Sequence, residues 1–143
     1  RLMFPNGKEQ FVAKRKPNFM GLVARQLPFG FLKKYEDYYL MKDKDLLTPT
    51  DVQFVSGCFF MMPTKIMAEI GGFDEKYFMY VEDADITQKA LLKGRAVYNP
   101  EVYVFHSWNR QARKIGKAFF MQIKSMARYF KKWGFSLGLN KHV

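Results

Sequence analysis

The chain has 143 residues, a formal net charge of +11, 48% hydrophobic and 17% aromatic side chains. That apolar content excludes a disordered chain, the length suits one domain with its own core, and no apolar run reaches the ~18 residues of a membrane span. Residues 1–16 lack the apolar stretch of a signal peptide, and a single cysteine, Cys58, rules out an internal disulfide and fits a reducing, cytoplasmic setting.

From the N-terminus, residues 1–18 read as an extended start, a turn at Pro5-Asn6-Gly7 and a basic stretch Lys14-Arg15-Lys16-Pro17. Apolar residues at helical spacing follow over 19–34, interrupted by Pro28 and Gly30. Residues 36–51 are charged, with a loop at Thr48-Pro49-Thr50, and their length suggests a functional or mobile segment. The Val- and Phe-rich run 51–62 predicts a buried strand, or two around Gly57. A short helix is expected over 64–70, ended by Gly71, and another over about 83–93, with acids in its first turn and Gly94 behind it. Residues 96–98 and 102–105 read as strands. The clearest element comes last: Ile115, Phe119, Ile123, Met126, Phe130 and Trp133 fall on one side of a helix, with Lys117, Lys124, Arg128 and Lys131 on the other.

Charge falls in three blocks. Residues 1–34 carry eight Lys/Arg and one Glu; residues 35–105 carry seven Lys/Arg and twelve Asp/Glu; residues 106–143 carry nine Lys/Arg and no acid. An acidic centre between basic flanks points to a chemical site bracketed by surfaces that meet phosphate or anionic lipid; solvated lysine faces are the simpler alternative.

The densest chemical signal lies in residues 71–85, where Gly71-Gly72-Phe73-Asp74-Glu75 is followed by aromatics and then by Glu82-Asp83-Ala84-Asp85. Three carboxylates within four residues at a helix start can supply a general base, and they can equally serve only as cap and first-turn charges. The run resembles the signature of family 2 glycosyltransferases, G-G-F-D-E-x-F-F-x-Y-x-E-D-x-D-L. It departs mildly at Tyr77 and Ile86, and Lys89 stands where many relatives have Arg. Pro5-Asn6-Gly7 with Arg15-Lys16-Pro17 resembles the P-D-G and R-R-x-P region of the rhamnosyltransferase-like members. Phe54-Val55-Ser56-Gly57 and Val104-Phe105-His106 resemble two further family segments, so the likeness covers about residues 1–110.

The resemblance implies an α/β chain: a partial GT-A fold of mixed sheet and flanking helices, with residues 1–109 as its acceptor-side part and 110–143 as a basic amphipathic helical extension. It implies an inverting, hexosyl-type transfer from a nucleotide-sugar donor to a saccharide or polyprenyl-linked acceptor, in surface polysaccharide or lipid-linked oligosaccharide synthesis. Asp83 would be the general base, Glu82 would orient it or contact the acceptor, and Gly57 and Asp85 would contact substrate. His106 would ligate a divalent metal, Mn or Mg; a strand-end His is otherwise a structural residue. Arg110 and Arg113 could close on a pyrophosphate or form a solvated linker.

The family's nucleotide-binding strand and D-x-D metal motif have no counterpart here. Because the chain opens on Arg1 rather than Met, an internal segment is expected, with little or no transferase activity by itself. The last helix can pack on the core or lie peripherally on the inner face of a membrane through 115–133, with Phe130 and Trp133 inserted; a homodimer could also cover the stripe. Two other classes compete, a basic nucleic-acid-binding module and a membrane-surface adaptor. The acidic cluster at 82–85 would repel phosphate and argues against nucleic acid.

Overall fold

The computed structural model describes residues 1–27, 29–107 and 116–139. Two small sheets and five helices form a mixed α/β arrangement. β1 (Leu2–Met3) turns back into β2 (Glu9–Gln10) through Gly7, whose φ of +78° suits glycine, and the pair is antiparallel with Leu2 opposite Gln10. Late in the chain β5 (Val104–Phe105) pairs in parallel with β1, giving the order β2-β1-β5. β3 (Thr50–Asp51) and β4 (Val97–Tyr98) make a separate antiparallel pair.

α1 (Phe19–Gln26) begins where predicted because Asn18 caps it, its side chain accepting from Gly21 N at 2.8 Å. The next two free donors of that helix end, Phe19 N and Met20 N, reach Ser136 O and Leu137 O beyond the last helix, at 2.8 and 2.9 Å. A 3₁₀ turn (Gly30–Leu32) leads into α2 (Lys33–Tyr39). The charged stretch after residue 36 is therefore helical at its start, and it turns Tyr39 fully inward.

The apolar run 51–62 does not make the expected buried strand. Only Thr50–Asp51 pairs regularly, Phe54 makes an isolated bridge to Lys14, and Phe59 and Met61 are exposed. The chain leaves sheet geometry to meet α4 (Glu82–Leu91). Thr87 Oγ1 accepts from Val55 N at 3.2 Å, Gln88 Nε2 donates to Gln53 O at 2.7 Å, and Asp83 Oδ2 accepts from Gly57 N at 3.1 Å. These three bonds from successive turns of one helix replace a strand partner. α3 (Thr64–Glu69) matches its expected span, and Gly71 and Gly72 follow with positive φ.

α5 (Lys117–Trp133) shares the principal core. Leu22, Tyr39, Leu40, Phe54, Tyr77, Ala84 and Tyr129 form that core, and Val81, Met126, Phe130 and Trp133 pack against it. The helix is also bonded across the domain: Ser125 Oγ to Met79 O at 2.8 Å, Lys16 Nζ to Trp133 O at 2.8 Å, and Gln26 Nε2 to Gln122 Oε1 at 2.9 Å. Through Met126, Tyr129, Phe130 and Trp133, α5 thus packs into the principal core. Phe130 and Trp133, expected to face a membrane, are partly buried against this core. The indole N–H of Trp133 is drawn inward to Asp85 Oδ1 at 2.7 Å, and the exposed apolar residues of the helix are Phe120 and Ile123. Ile115 lies outside the described residues.

Candidate active site

The residues singled out from the sequence divide between a cavity and the core. A cavity of about 390 Å³ is lined by Gly57, Glu82, Asp83 and His106, together with Gln10, Lys14, Arg25 and Tyr80. Five segments far apart in the chain meet there.

Asp83 sits in the first turn of α4. Its Oδ1 accepts from Ala84 N at 2.9 Å and its Oδ2 from Gly57 N at 3.1 Å, so two backbone donors fix the carboxylate while lone pairs remain toward the cavity. Gly57 leaves room for this contact: a Cβ at this position would stand 3.1 Å from the Asp83 Cβ and crowd it. The helix is entered through Tyr80 and Val81, both with φ of 67°. Two successive non-glycine residues in the left-handed region, one of them β-branched, constitute a strained turn of the kind that packing must enforce. Here Met79 O is held by Ser125 of α5, and Val81 packs on the core.

Glu82 is half-buried, and its Oε2 is enclosed without a hydrogen-bond partner. Burial raises its carboxyl pKa above the ordinary range; its own backbone N–H opposes this, and the Asp83 charge adds to it.

His106 is positioned by the parallel pairing of β5 with β1, through its N–H to Met3 O at 2.8 Å. Gln10 brackets it, with Nε2 donating to His106 O at 2.6 Å and Oε1 lying 3.2 Å from His106 Nδ1. Gln10 Oε1 can only accept, so the proton belongs on Nδ1 and Nε2 keeps its lone pair, the form in which imidazole binds metals. Yet among the described residues no three His, Cys, Asp or Glu side chains gather as metal ligands. One imidazole is not a metal centre, and no chemical step below is routed through an ion.

Asp85 is corrected by its placement. Expected to touch substrate, it is 1% exposed and lies outside the cavity lining. Its oxygens accept from Lys132 Nζ at 2.9 Å and Trp133 Nε1 at 2.7 Å, with Tyr77 Oη at 3.5 Å. The helical period explains this: two residues past Asp83, Asp85 points to another side of α4, where α5 packs. Arg110 and Arg113 lie outside the described residues.

Three lining residues escaped the sequence reading: Lys14, Arg25 and Gln10. Lys14 is 7% exposed, and its ammonium lies 4.1 Å over the Phe54 ring. Adjacent Arg15 is also buried, forked onto Asp43 through two 2.7 Å bonds that hold the Asp43 carboxyl below its usual range. Consecutive cations normally read as solvated, and the R-R-x-P likeness was the only pointer to this segment.

With this geometry in place, the chain can be compared with known proteins. It is 31% identical over 91 residues to the rhamnosyltransferase WbbL of Escherichia coli K12, covering 62% of this chain and 34% of that protein. It is 35% identical over 107 residues to an N-acetylglucosaminyl-diphospho-decaprenol L-rhamnosyltransferase of Mycobacterium tuberculosis H37Rv, covering 71% of this chain and 34% of the relative. The chain thus spans about a third of the length of the curated relatives it matches. No family model and no solved structure matches it. These likenesses support a glycosyltransferase kinship. Among the described residues no helix is long and apolar enough to cross a membrane.

Proposed function

We propose that this chain is the acceptor-side part of an inverting glycosyltransferase of family 2 with a GT-A fold, and that Asp83 is its general base. The observation that carries the reading is the Asp83 carboxylate, held by Gly57 N and Ala84 N on the wall of a cavity that Glu82 and His106 share. A relative named for transfer to N-acetylglucosaminyl-diphospho-decaprenol favours a saccharide or lipid-linked diphosphate acceptor, and the family 2 reading makes the donor a nucleotide-diphosphate sugar. In the reaction Asp83 takes the proton of the acceptor hydroxyl. The hydroxyl oxygen forms a bond to the donor sugar C1 as the bond from C1 to the diphosphate oxygen breaks on the opposite face, and the nucleoside diphosphate leaves with that electron pair. Glu82, on the same cavity wall, orients the base or contacts the acceptor. A divalent ion, Mn or Mg, would find one ligand in His106, with the others drawn from donor phosphates or from residues beyond those described. The setting is surface polysaccharide or lipid-linked oligosaccharide synthesis at the cytoplasmic face of a membrane.

The test is turnover with nucleotide sugars and a prenyl-diphospho-saccharide acceptor, measured on the polypeptide that carries this sequence. Asp83→Asn preserves shape but removes the proton acceptor, and kcat should fall by roughly two or more orders of magnitude with donor binding retained. Near-normal turnover of that variant removes Asp83 from the mechanism.

A peripheral membrane contact is a second part of the reading. Phe120 and Ile123 are 64% and 47% exposed on α5, and Lys117 and Lys124 neighbour them at helical spacing, the pattern of a helix face resting on anionic lipid.

A further inference from the structure

The cavity has a cationic wall that the proton transfer does not use. Lys14 and Arg25 line it from the segment after β2 and from α1, whereas Glu82 and Asp83 line it from α4. Among the described residues the Lys14 ammonium rests on an aromatic face, that of Phe54, and not on an acceptor oxygen. A cation taken out of water without an acceptor is a costly arrangement, and a protein retains it where a ligand completes the pairing. The charges that face Lys14 are known: Arg25 from α1, Asp83 from α4 and Cys58 from the loop after Phe54. Burial first, and then the Arg25 charge, lower the Lys14 pKa to about 8 against the pull of Asp83 and Cys58. The group is therefore still mostly charged at neutral pH but lacks a full counter-charge, which an incoming anion would provide.

We propose that Lys14 and Arg25 form the anion-receiving wall of this cavity, that the anion is a diphosphate ester, and that Lys14 selects ligands by that group. The inference rests on the transferase reading for the identity of the anion, because both substrate classes named there carry a diphosphate. The nucleotide donor and the lipid-linked acceptor are two sources of one chemistry. Because Lys14, Arg25 and Asp83 line one cavity, a ligand whose diphosphate meets Lys14 can carry a hydroxyl to Asp83.

The experiment is a calorimetric titration of the 143-residue chain at pH 7 without divalent metal, using inorganic pyrophosphate, a nucleoside diphosphate and farnesyl diphosphate as probes. Pyrophosphate should bind saturably. Lys14→Met should weaken it about ten- to a hundredfold, the loss of one charge-assisted bond, and Lys14→Arg should restore most of it. Stronger binding of the nucleoside diphosphate than of pyrophosphate assigns the wall to the donor; stronger binding of the farnesyl ester assigns it to the acceptor. Unchanged pyrophosphate binding by Lys14→Met, or no binding by a wild-type chain shown to be folded by circular dichroism, overturns the proposal. Asp83→Asn separates the two readings. Its turnover tests the general-base assignment, whereas pyrophosphate binding by the wild-type chain and its loss in Lys14→Met test the wall, so the transferase reading can fail without the wall failing, and the reverse.

Discussion

Asp85 is the strongest test of how this domain holds its site together, because one buried carboxylate joins the site helix α4 to α5. Replacing it by Ala leaves the Trp133 indole N–H without its 2.7 Å acceptor and removes the acceptor of Tyr77 Oη. A buried donor left unmade costs about 1–3 kcal/mol. Lys132 loses its 2.9 Å partner but keeps Asp74 at 3.3 Å, and its side chain is 34% exposed, so water and Asp74 limit its share. Relief of the carboxylate's own desolvation offsets part of the loss, so the cost is set mainly by the two donors, Trp133 Nε1 and Tyr77 Oη. Asp85→Ala should therefore destabilise by about 2–3 kcal/mol, and Asp85→Asn, which keeps an acceptor for the indole, by roughly half as much. Urea unfolding followed by circular dichroism, with the slope m checked for constancy, measures both. A loss below ~1 kcal/mol for Asp85→Ala, or a cooperatively folded chain truncated at residue 116, would show that α5 is an appendage and that the brace is not needed.

Lys14 makes a pH prediction of definite sign. Its folded pKa of about 8 lies below the ordinary 10.5, so between those values the unfolded chain binds more protons and stability rises with pH. Lowering the pH from 10.5 to 8 should remove a contribution of roughly 3 kcal/mol, which stays lost at lower pH. The stability difference between wild type and Lys14→Met should show that slope, because tyrosines titrating in the same window cancel from it; a flat difference refutes the burial cost. For the membrane face, flotation with anionic vesicles should be salt-sensitive, and it should weaken when Phe120 and Ile123 are both changed to Ser while Phe130→Ser mainly lowers stability. Equal flotation of the Phe120/Ile123 pair removes that face as the contact.

Local patterns in the sequence were enough for the helices α3, α4 and α5 and the strands β4 and β5, whereas the grouping of Glu82, Asp83, Gly57 and His106 as one candidate set came from the family resemblance. Caps, glycine stops and 3.6-residue spacing act within a few residues, so they are visible in a single chain. Other features depended on contacts between residues far apart. The run at 51–62 has strand composition, but α4 competes for its backbone groups, and Gly57 N bonds to Asp83 instead of a neighbouring strand. Asp83 and Asp85 look equivalent in a carboxylate cluster, yet the helical turn sends one to the cavity and the other under α5. The apolar stripe of α5 was legible, but which part of it is covered depended on where Asp85 captures the Trp133 indole. Lys14 is the extreme case: three successive cations carry no mark of burial. Only the packing of this segment, with Lys14 over Phe54 and Arg15 forked onto Asp43, takes two of them out of water, and burial, unlike helix spacing, is a property of everything that surrounds a residue.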